Sequence, residues 1–289
     1  MRTTATTRTT ATTIVLGLVL SALAVASPAL ANHPVFVEGN CFGPGSGMTA
    51  TGLMNSPVVP GTCGDYDGDG RIRMAEDTDG DNNFGTINAA LAAVAQNGRV
   101  TIVANGTFPE VVKLVPTEGG NVSLEAAPGV DANIDAVVQG DAGNEERATR
   151  PGIVVRGCDE CRTIVRNVTV RNWRVGVLVR EQAHAILDEV RVENNLDYGI
   201  HAVGRSRVTI TDSDVSATGF RKGATGVGEP DPGRGVEFED RSRGSIVDTT
   251  VSGSADAGIS VLNRALLDIR NVHVFDNHPN FRFRGSSAS

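Results

Sequence analysis

The chain has 289 residues, of which 40% are hydrophobic but only 4% aromatic, and it contains 34 glycines. Val, Ile, Leu and Ala supply most of the apolar residues, a composition typical of a β-rich protein with a slender core. The formal net charge is -8 at pH 7. Such a surface repels nucleic-acid phosphates and anionic lipid, and we therefore expect neither as a partner.

Residues 1–31 have the organisation of a secretory signal peptide. Arg2 and Arg8 form a basic start, an apolar run extends from Ile14 to Ala26, and residues 29–31 supply the small residues of a cleavage site. A retained membrane anchor is the alternative, but the apolar run is shorter than the roughly 20 residues that a bilayer span requires. We therefore expect a secreted or cell-surface protein with no membrane span after cleavage.

Four cysteines fit the oxidising environment outside the cell. Their spacing predicts disulfide bonds between Cys41 and Cys63 and between Cys158 and Cys161. The second pair, in "RGCDECRT", could also be a redox dithiol or half of a zinc site. Both alternatives are weaker, because no second pair of ligands follows at zinc spacing and the segment lies between strand-like runs.

An acidic segment near the start of the mature chain has the spacing of a calcium loop. Residues 65–76, "DYDGDGRIRMAE", match the pattern D-x-D-x-D-G-x-I-x-x-x-E of the twelve-residue EF-hand loop. Charge alone would not place Gly70 at the sharp turn and Ile72 two residues later. The predicted oxygen ligands are Asp65, Asp67, Asp69, the carbonyl of Arg71, and Glu76.

The calcium loop is predicted to be structural. The segment before it is broken by Pro60, Gly61 and Gly64, so the first helix of a helix-loop-helix sensor cannot form. The continuation repeats the spacing and resembles the tandem aspartate loops of dockerins and thrombospondin-type repeats. It predicts a second calcium site whose ligands would be Asp77, Asp79 and Asp81.

The segment "GTINAALAAVAQNG" predicts a short amphipathic helix. Thr86 can cap its start, and Ile87, Leu91 and Val94 recur at the spacing of one helix face. Gly98 is predicted to end it. Beyond this point, helical periodicity almost disappears, and short Val/Ile runs alternate with Asn, Asp and Gly.

A glycine followed by a branched apolar residue recurs along the second half of the chain. The spacing is roughly 23 residues apart from one longer interval, which lies in the range that marks solenoids. The repeated glycines are Gly152, Gly176, Gly199, Gly235 and Gly258. A second strand signal lies between them, formed by Val168, Val170, Val190, Val192, Val215, Val251, Val272 and Val274. Each period therefore supplies at least two short strands, which must stack on their neighbours to create a core.

These coil patterns, together with the helix before them, resemble the right-handed parallel β-helix proteins of the pectate-lyase-like superfamily. The resemblance covers most of residues 86–280 and implies an all-β solenoid of about seven coils with an N-terminal capping helix. An immunoglobulin-like sandwich is the alternative, but the regular coil length and scarcity of aromatic residues argue against it. We divide the chain into a signal peptide (1–31), a calcium- and disulfide-stabilised lead-in (32–85), the β-helix (86–280) and a tail (281–289).

The resemblance implies a carbohydrate-related function without transferring an active site. Members of the superfamily include secreted polysaccharide lyases, hydrolases and epimerases, and also surface proteins without known chemistry. The catalytic signatures of polygalacturonases are missing here. The segment "DYGIH" from Asp197 is similar to the Tyr-Gly-x-Asp-Pro-His of alginate epimerases, but it lacks the Asp-Pro. We interpret it as part of the coil pattern.

The repeat predicts which side chains share one outer sheet face. In each glycine-led strand the uniformly apolar positions must point inward, and the residues between and after them face solvent. The predicted outward pairs are Val154 with Arg156, Leu178 with Arg180, His201 with Val203, Glu237 with Glu239, and Ser260 with Leu262. Stacking at ~4.8 Å would place His201 beside Glu237, with Arg180 on the diagonal.

Two insertions predict a groove on this sheet face. Residues 139–151 lengthen the connection before the Arg156 strand, and residues 217–234 do the same before the Glu237 strand. Both would enter at the same sheet edge, and long loops on a rigid scaffold often carry function. A solvated charge ladder that merely tolerates insertions is the alternative.

The groove residues suggest a reaction on a glycan. We predict carboxyl groups of Glu237 and Glu239 ~6 to 8 Å apart, near the separation in inverting glycosidases, with His201 orienting Glu237. Arg156 and Arg180 would bind an anionic sugar. A lyase using Arg or His as the base is the competing chemistry, and a non-catalytic structural rod is the alternative function. We expect a monomer whether the protein is an enzyme or a structural rod.

Overall fold

The computed structural model describes residues 35–38, 57–60, 62–73, 76, 83–94, 97–116, 120–136, 150–157, 159–219 and 233–285. Within these ranges, one helix precedes a succession of short strands that pair only in parallel across three sheets. Each coil contributes one strand to every sheet in turn and stacks on the coil before it. The all-β, right-handed parallel β-helix predicted from the repeat is confirmed.

The three sheets have nine, seven and seven strands among the described residues. The first sheet contains, in spatial order, Asn83–Phe84, Val35–Val37, Gly98–Ile102, Asn121–Ala126, Arg162–Arg166, His184–Asp188, Arg207–Thr211, Arg243–Val247 and Leu266–Arg270. The second contains Gly106–Thr107, Ala132–Asp135, Thr169–Arg171, Arg191–Glu193, Asp214–Ser216, Thr250–Ser252 and His273–Phe275. The third contains Val112–Leu114, Pro151–Arg156, Val175–Arg180, Tyr198–Ala202, Arg234–Phe238, Ala257–Leu262 and Phe281–Arg284.

The repeated glycines lie where neighbouring coils approach most closely. A Cβ atom on Gly235 would lie 2.7 Å from the carbonyl oxygen of Gly258, and one on Gly199 would lie 2.6 Å from that of Gly235. Real Cβ atoms do not come so close to backbone, so a larger residue would push the coils apart. The glycine period that marks the coils in the sequence therefore has a packing cause.

Single residues in the left-handed backbone region make the bends between sheets. Between the first and second sheets they are Asn167, Glu189, Asp212, Asp248 and Asn271, all with φ between 48° and 54°. Asn and Asp tolerate this region better than most residues, because their short polar side chains bond to nearby backbone. The Asn and Asp residues between the valine runs thus set the corners of each coil.

The core is a narrow column of aliphatic side chains from all three sheets. Its inward positions on the third sheet include Ile153, Val177, Ile200, Val236 and Ile259, which are fully buried. Trp173, the single tryptophan, is also fully buried and donates its indole N–H to the Ile134 carbonyl at 2.9 Å. The column therefore excludes water along its length, which is where its stability originates.

The helix extends over Ile87–Ala93, where the sequence predicts one, and the Thr86 hydroxyl accepts a hydrogen bond from the Ala89 N–H. The prediction that Gly98 ends it is wrong, because the helix ends at Ala93 and Gly98 begins a strand. Two strands from the predicted lead-in join the first sheet, and Phe281–Arg284, in the predicted tail, joins the third. The domain boundaries themselves stay a prediction.

Among the described residues, no helix is long and apolar enough to cross a membrane. The predicted signal peptide lies outside the described residues.

At the C-terminal end of the solenoid, the last strands expose the large apolar side chains Leu266, Phe275, Phe281 and Phe283.

Candidate functional site

The third sheet brings the predicted outward residues into one row. Its register pairs Leu178 with His201, His201 with Glu237, and Glu237 with Ser260. The prediction that His201 lies beside Glu237 is therefore confirmed. The strands that carry Arg156 and Glu237 are separated by three strand-to-strand steps.

His201 and the two glutamates converge at one point. The His201 Nε2 atom lies 3.7 Å from Glu237 Oε1 and 3.4 Å from Glu239 Oε2. One ligating atom from each of the three residues lies within 4.8 Å of the others. In the part of the chain that the structure describes, neither His201 Nε2 nor Glu237 Oε1 has a hydrogen-bond partner, although both atoms are buried.

The prediction that Glu237 faces solvent is wrong, because its side chain is 0% exposed. Arg234, three residues earlier, donates to the other carboxylate oxygen, Glu237 Oε2. Arg234 also bonds to Asp256, which accepts further hydrogen bonds from Arg282. A fully buried carboxylate requires such a partner, since an unpaired charge away from water is strongly destabilising.

Two residues that the sequence pattern did not single out complete the cluster. The Tyr198 ring stacks on the His201 ring with centroids 4.3 Å apart, and the Arg234 guanidinium lies over the Tyr198 ring. Burial raises the pKa of Tyr198, and the negative charge of Glu237 adds to this. Tyr198 and Arg234 both directly precede a repeated glycine, and this shared position was the signal that could have revealed them.

One carboxylate oxygen of Glu237 and one of Glu239 lie within 4.8 Å of each other. Glu239 lies beyond the strand end, where its Oε2 atom lies 3.4 Å from His201 Nε2 and its Oε1 atom accepts a hydrogen bond from Asn263. The predicted ~6 to 8 Å separation of the two carboxyl groups stays a prediction.

The two arginines predicted to bind substrate are neighbours on the third sheet. Arg156 and Arg180 are paired in register, and the Nε atoms of both face one carboxylate oxygen of Glu181, at 3.5 and 3.4 Å. Both Nε atoms are buried without a hydrogen bond. Two guanidinium groups thus share one carboxylate, which leaves an excess of positive charge beside the cluster.

A shallow depression of about 560 Å³ adjoins Glu239 and these arginines. It is formed by the turns that follow successive strands of the third sheet. Its lining residues are Glu181, Gln182, Gly204, Arg205, Asp240, Arg241, Asn263 and Arg264. The hydrogen bond between Asn263 and Glu239 connects this surface with the cluster.

The predicted calcium loop has the internal hydrogen bonds that its pattern requires. The two carboxylate oxygens of Asp65 accept the N–H groups of Asp69 and Gly70, and those of Glu76 accept the N–H groups of Asp67 and Arg73. Asp65, Asp67 and Glu76 each place an oxygen within 4.8 Å of the others. Asp65 and Glu76 are buried, and burial raises the pKa of Glu76.

Position 9 of the loop departs from the usual pattern. Arg73 stands where a water-bridging residue is common, and its guanidinium pairs with Asp69 and lies 3.7 Å from Asp67. The backbone of Arg71 forms a bridge to Pro57, so the predicted carbonyl ligand lies on an ordered segment. Four of the five predicted ligands are carboxylates, and all four lie in this one loop.

Several predicted features lie outside the described residues. They are the second calcium site of Asp77, Asp79 and Asp81, the residues 137–149 and 220–232 of the two insertions, and the cysteines Cys41 and Cys158. Cys63 and Cys161 are buried, and neither is a free thiol. The pairings of Cys41 with Cys63 and of Cys158 with Cys161 stay predictions.

Comparisons with known proteins agree with this architecture. A family model described as "Right handed beta helix region" matches residues 151–287. The chain is a right-handed parallel β-helix. The solved structure of pectate lyase Pel9A superposes with a TM-score of 0.51 at 17% identity, over 67% of this chain and 49% of that chain. The present chain thus spans about half the length of that enzyme, and the likeness shows the fold alone.

An alginate lyase from Paenibacillus sp. str. FPU-7 matches with a TM-score of 0.41 at 15% identity, over 69% of this chain and 72% of that chain. No curated protein matches the sequence significantly.

Proposed function

We propose that this chain is a secreted protein that binds and cleaves an acidic polysaccharide at the cluster of His201, Glu237 and Glu239. The observation that carries the proposal is the convergence of these three side chains on the outer face of a rigid sheet. A solenoid that served only as a rod would have no use for a fully buried glutamate beside an unpartnered histidine nitrogen. Burying such groups costs stability, and this cost is typical of functional sites.

The surroundings of the cluster suit an anionic sugar chain. Arg156 and Arg180 lie in register on the same sheet, and both face the carboxylate of Glu181. Guanidinium groups bind sugar carboxylates through paired hydrogen bonds. The depression next to Glu239 offers room for further sugar units along the stacked turns. The pectate lyase of similar fold acts, by its name, on pectate, which is an acidic polysaccharide.

Elimination is the chemistry that these residues favour. His201 supplies a nitrogen base on the same sheet as Arg156 and Arg180, whose guanidinium groups suit a sugar carboxylate. In an elimination, His201 would take the proton from the carbon next to a sugar carboxylate, and the bond from the adjacent carbon to the glycosidic oxygen would break. A double bond forms between the two carbons, an arginine stabilises the developing negative charge, and the leaving glycosidic oxygen takes a proton from solvent to become a hydroxyl group.

Calcium has a structural role in this proposal. The carboxylates of the 65–76 loop would hold one Ca²⁺ ion, and the disulfide of Cys41 and Cys63 would close the same region. Extracellular loops of this type bind calcium at ~10⁻⁴ to 10⁻³ M, which suits permanent occupancy outside a cell. Secretion would follow from the predicted signal peptide in residues 1–31.

A screen of the mature protein against acidic and neutral polysaccharides tests the proposal. Elimination produces an ultraviolet-absorbing unsaturated sugar together with each new reducing end. We expect both signals on an acidic polysaccharide, and a loss of roughly 100-fold or more in His201→Ala, because a general base contributes at least that much. His273→Ala is the matched control, since His273 is exposed on the second sheet.

The screen also separates the alternatives. Reducing ends without ultraviolet absorbance would show that the reaction is hydrolysis and not elimination. A structural rod is the second candidate, and the engagement of Arg156 and Arg180 with Glu181 favours it. Absence of both turnover and binding on every polysaccharide would leave the rod as the better explanation.

A further inference from the structure

We propose that His201, Glu237 and Glu239 form a binding site for one divalent transition-metal ion, with Zn²⁺ as the probe. The three ligating atoms are His201 Nε2, Glu237 Oε1 and Glu239 Oε2. They come from two neighbouring coils, and the sheet register fixes their relative positions. The site is distinct from the calcium loop in sequence, in location and in ligand type.

The distances between the three atoms suit a common ion. A metal about 2.1 Å from each ligand in tetrahedral geometry holds the ligands about 3.4 Å apart. His201 Nε2 lies 3.4 Å from Glu239 Oε2 and 3.7 Å from Glu237 Oε1. These separations are too long for hydrogen bonds and close to the edge of a coordination polyhedron.

A second observation points to a missing ligand. Glu237 is fully buried, yet among the described residues its Oε1 atom has no hydrogen-bond partner, and neither does the facing His201 Nε2 atom. Buried polar atoms are nearly always partnered, and each exception requires an explanation. A metal ion between the two atoms would satisfy both lone pairs at once. A proton on His201 could pair with the carboxylates instead, and this imidazolium is the competing explanation.

The hydrogen bonding around Glu237 favours coordination through Oε1. Arg234 donates to Oε2 and is itself fixed by Asp256, so the carboxylate is oriented with its second oxygen towards His201. Outer residues that hold metal ligands in this way are common in protein sites. Glu239 is held similarly, because Asn263 donates to its Oε1 atom and leaves Oε2 for the ion.

The donor set selects the class of metal. Imidazole nitrogen together with carboxylate oxygen suits Zn²⁺ and its first-row neighbours, whereas Ca²⁺ takes oxygen ligands, as in the 65–76 loop. Three protein ligands leave a coordination position for water or a sugar oxygen. A Zn²⁺ ion on His201 Nε2 would prevent this atom from accepting a proton, so the elimination proposed above would require the metal-free protein. Use of the open position on a sugar rests on the proposed polysaccharide function, whereas the metal site itself rests on the geometry alone.

Metal titration of the untagged mature protein tests the site without any polysaccharide. The protein is stripped with chelator and saturated with Ca²⁺, and Zn²⁺ is then added in a calorimeter. We expect one equivalent to bind, with an affinity at least about 100-fold weaker in His201→Ala and in Glu239→Gln. His273→Ala is the control and should bind as the wild type does. Co²⁺ added instead should show the visible absorption of a low-coordinate ion, absent from the same two variants.

Three results would overturn the proposal. They are no Zn²⁺ binding by the stripped wild type, equal binding by His201→Ala and the wild type, or displacement of Zn²⁺ by millimolar Ca²⁺. The calcium heat of the 65–76 loop should stay unchanged in both variants, which shows that they remain folded. Turnover by a protein that binds no Zn²⁺ would remove the metal site while leaving the proposed function in place.

Discussion

The two carboxylate clusters of this protein are built in opposite ways. In the 65–76 loop, the acidic residues are close in sequence and their oxygens accept backbone N–H groups of the same loop. On the third sheet, His201 and Glu237 are 36 residues apart in sequence and lie side by side only because two coils stack. Here Arg234, on the same strand as Glu237, donates a hydrogen bond to one of its carboxylate oxygens.

This difference shows how each cluster tolerates its buried charge. The loop brings carboxylate oxygens of Asp65, Asp67 and Glu76 within 4.8 Å of one another, and the proposed Ca²⁺ ion would compensate their charge. The sheet cluster has a built-in cation for one oxygen of Glu237 and an unpartnered second oxygen. We therefore expect the loop to lose stability when Ca²⁺ is removed and the sheet cluster to lose stability when Arg234 is replaced.

The largest effect is expected from Arg234→Ala. This change leaves Glu237 fully buried without its charged partner. Loss of one member of a buried ion pair typically lowers the free energy of unfolding by about 3 to 5 kcal/mol. Denaturant unfolding at neutral pH measures it. Arg270→Ala is the matched control, because Arg270 and Asp268 are mostly exposed and such a pair contributes about 0 to 1 kcal/mol. Equal losses in both variants would show that the pairing of Arg234 with Glu237 is not special.

The next largest effect concerns the disulfide beside the loop. If Cys41 and Cys63 are bonded, closing the chain between them stabilises the protein by about 3 kcal/mol on the chain-entropy model. We expect Cys63→Ser to lose about that amount in thermal or denaturant unfolding. Thiol titration of the denatured, unreduced wild type is the companion measurement. Two or more reactive thiols in secreted protein would contradict the pairing.

Calcium should stabilise the loop and leave the sheet cluster unchanged. At a concentration 100-fold above its Kd, a ligand that binds only the folded state adds about 2.7 kcal/mol. We expect a gain of this order in the wild type, measured as a rise in Tm on adding Ca²⁺. Asp65→Asn should abolish the gain, because Asp65 is the first predicted ligand and its Oδ2 atom accepts the Gly70 N–H. Stabilisation of Asp65→Asn equal to that of the wild type would place the calcium elsewhere.

The smallest effect tests whether neighbouring coils set the environment of a histidine. His184 pairs in register with Arg162 and Arg207, whereas His201 pairs with Glu237. Burial, followed by the charges of Arg162 and Arg207, lowers the pKa of His184. The folded state then binds a proton less readily than the unfolded state. This contribution to stability is complete above about pH 6.5 and is lost as the pH falls through the lower folded-state pKa.

The pH dependence of unfolding in wild type and His184→Gln isolates this contribution. We expect the variant to lose less stability than the wild type between about pH 6.5 and pH 5. An NMR titration that gives His184 a pKa at or above the ordinary value would contradict the expected influence of the arginines.

The sequence predicts the solenoid well because its coil signals have direct physical causes. The period of Gly199 and Gly235 reflects backbone contact between coils, and the valine runs reflect the shared core. The same period places His201 next to Glu237, which the register confirms. Residue type, the repeat period and the alternation of apolar residues are therefore enough to predict the coils and which residues pair between neighbouring strands.

The burial and contacts of individual polar side chains could not be predicted from the strand pattern. Alternation predicts that Glu237 is solvated, but the guanidinium of Arg234 and the row of neighbouring side chains bury it. Arg234 lies on the strand position before the glycine, which the apolar alternation does not describe. Glu239 lies beyond the strand end, and the sequence gives no distance there.

Hydrogen–deuterium exchange of the calcium-saturated protein, with and without an acidic oligosaccharide, tests most directly whether the sheet cluster is the polysaccharide site. We expect slower exchange in the turns that line the adjoining depression, at residues 181–182, 204–205 and 240–241, and no change in the 65–76 loop. His201→Ala should reduce this protection if the cluster contacts the sugar. Protection confined to other parts of the chain, or no protection while the oligosaccharide binds, would contradict the assignment of this site.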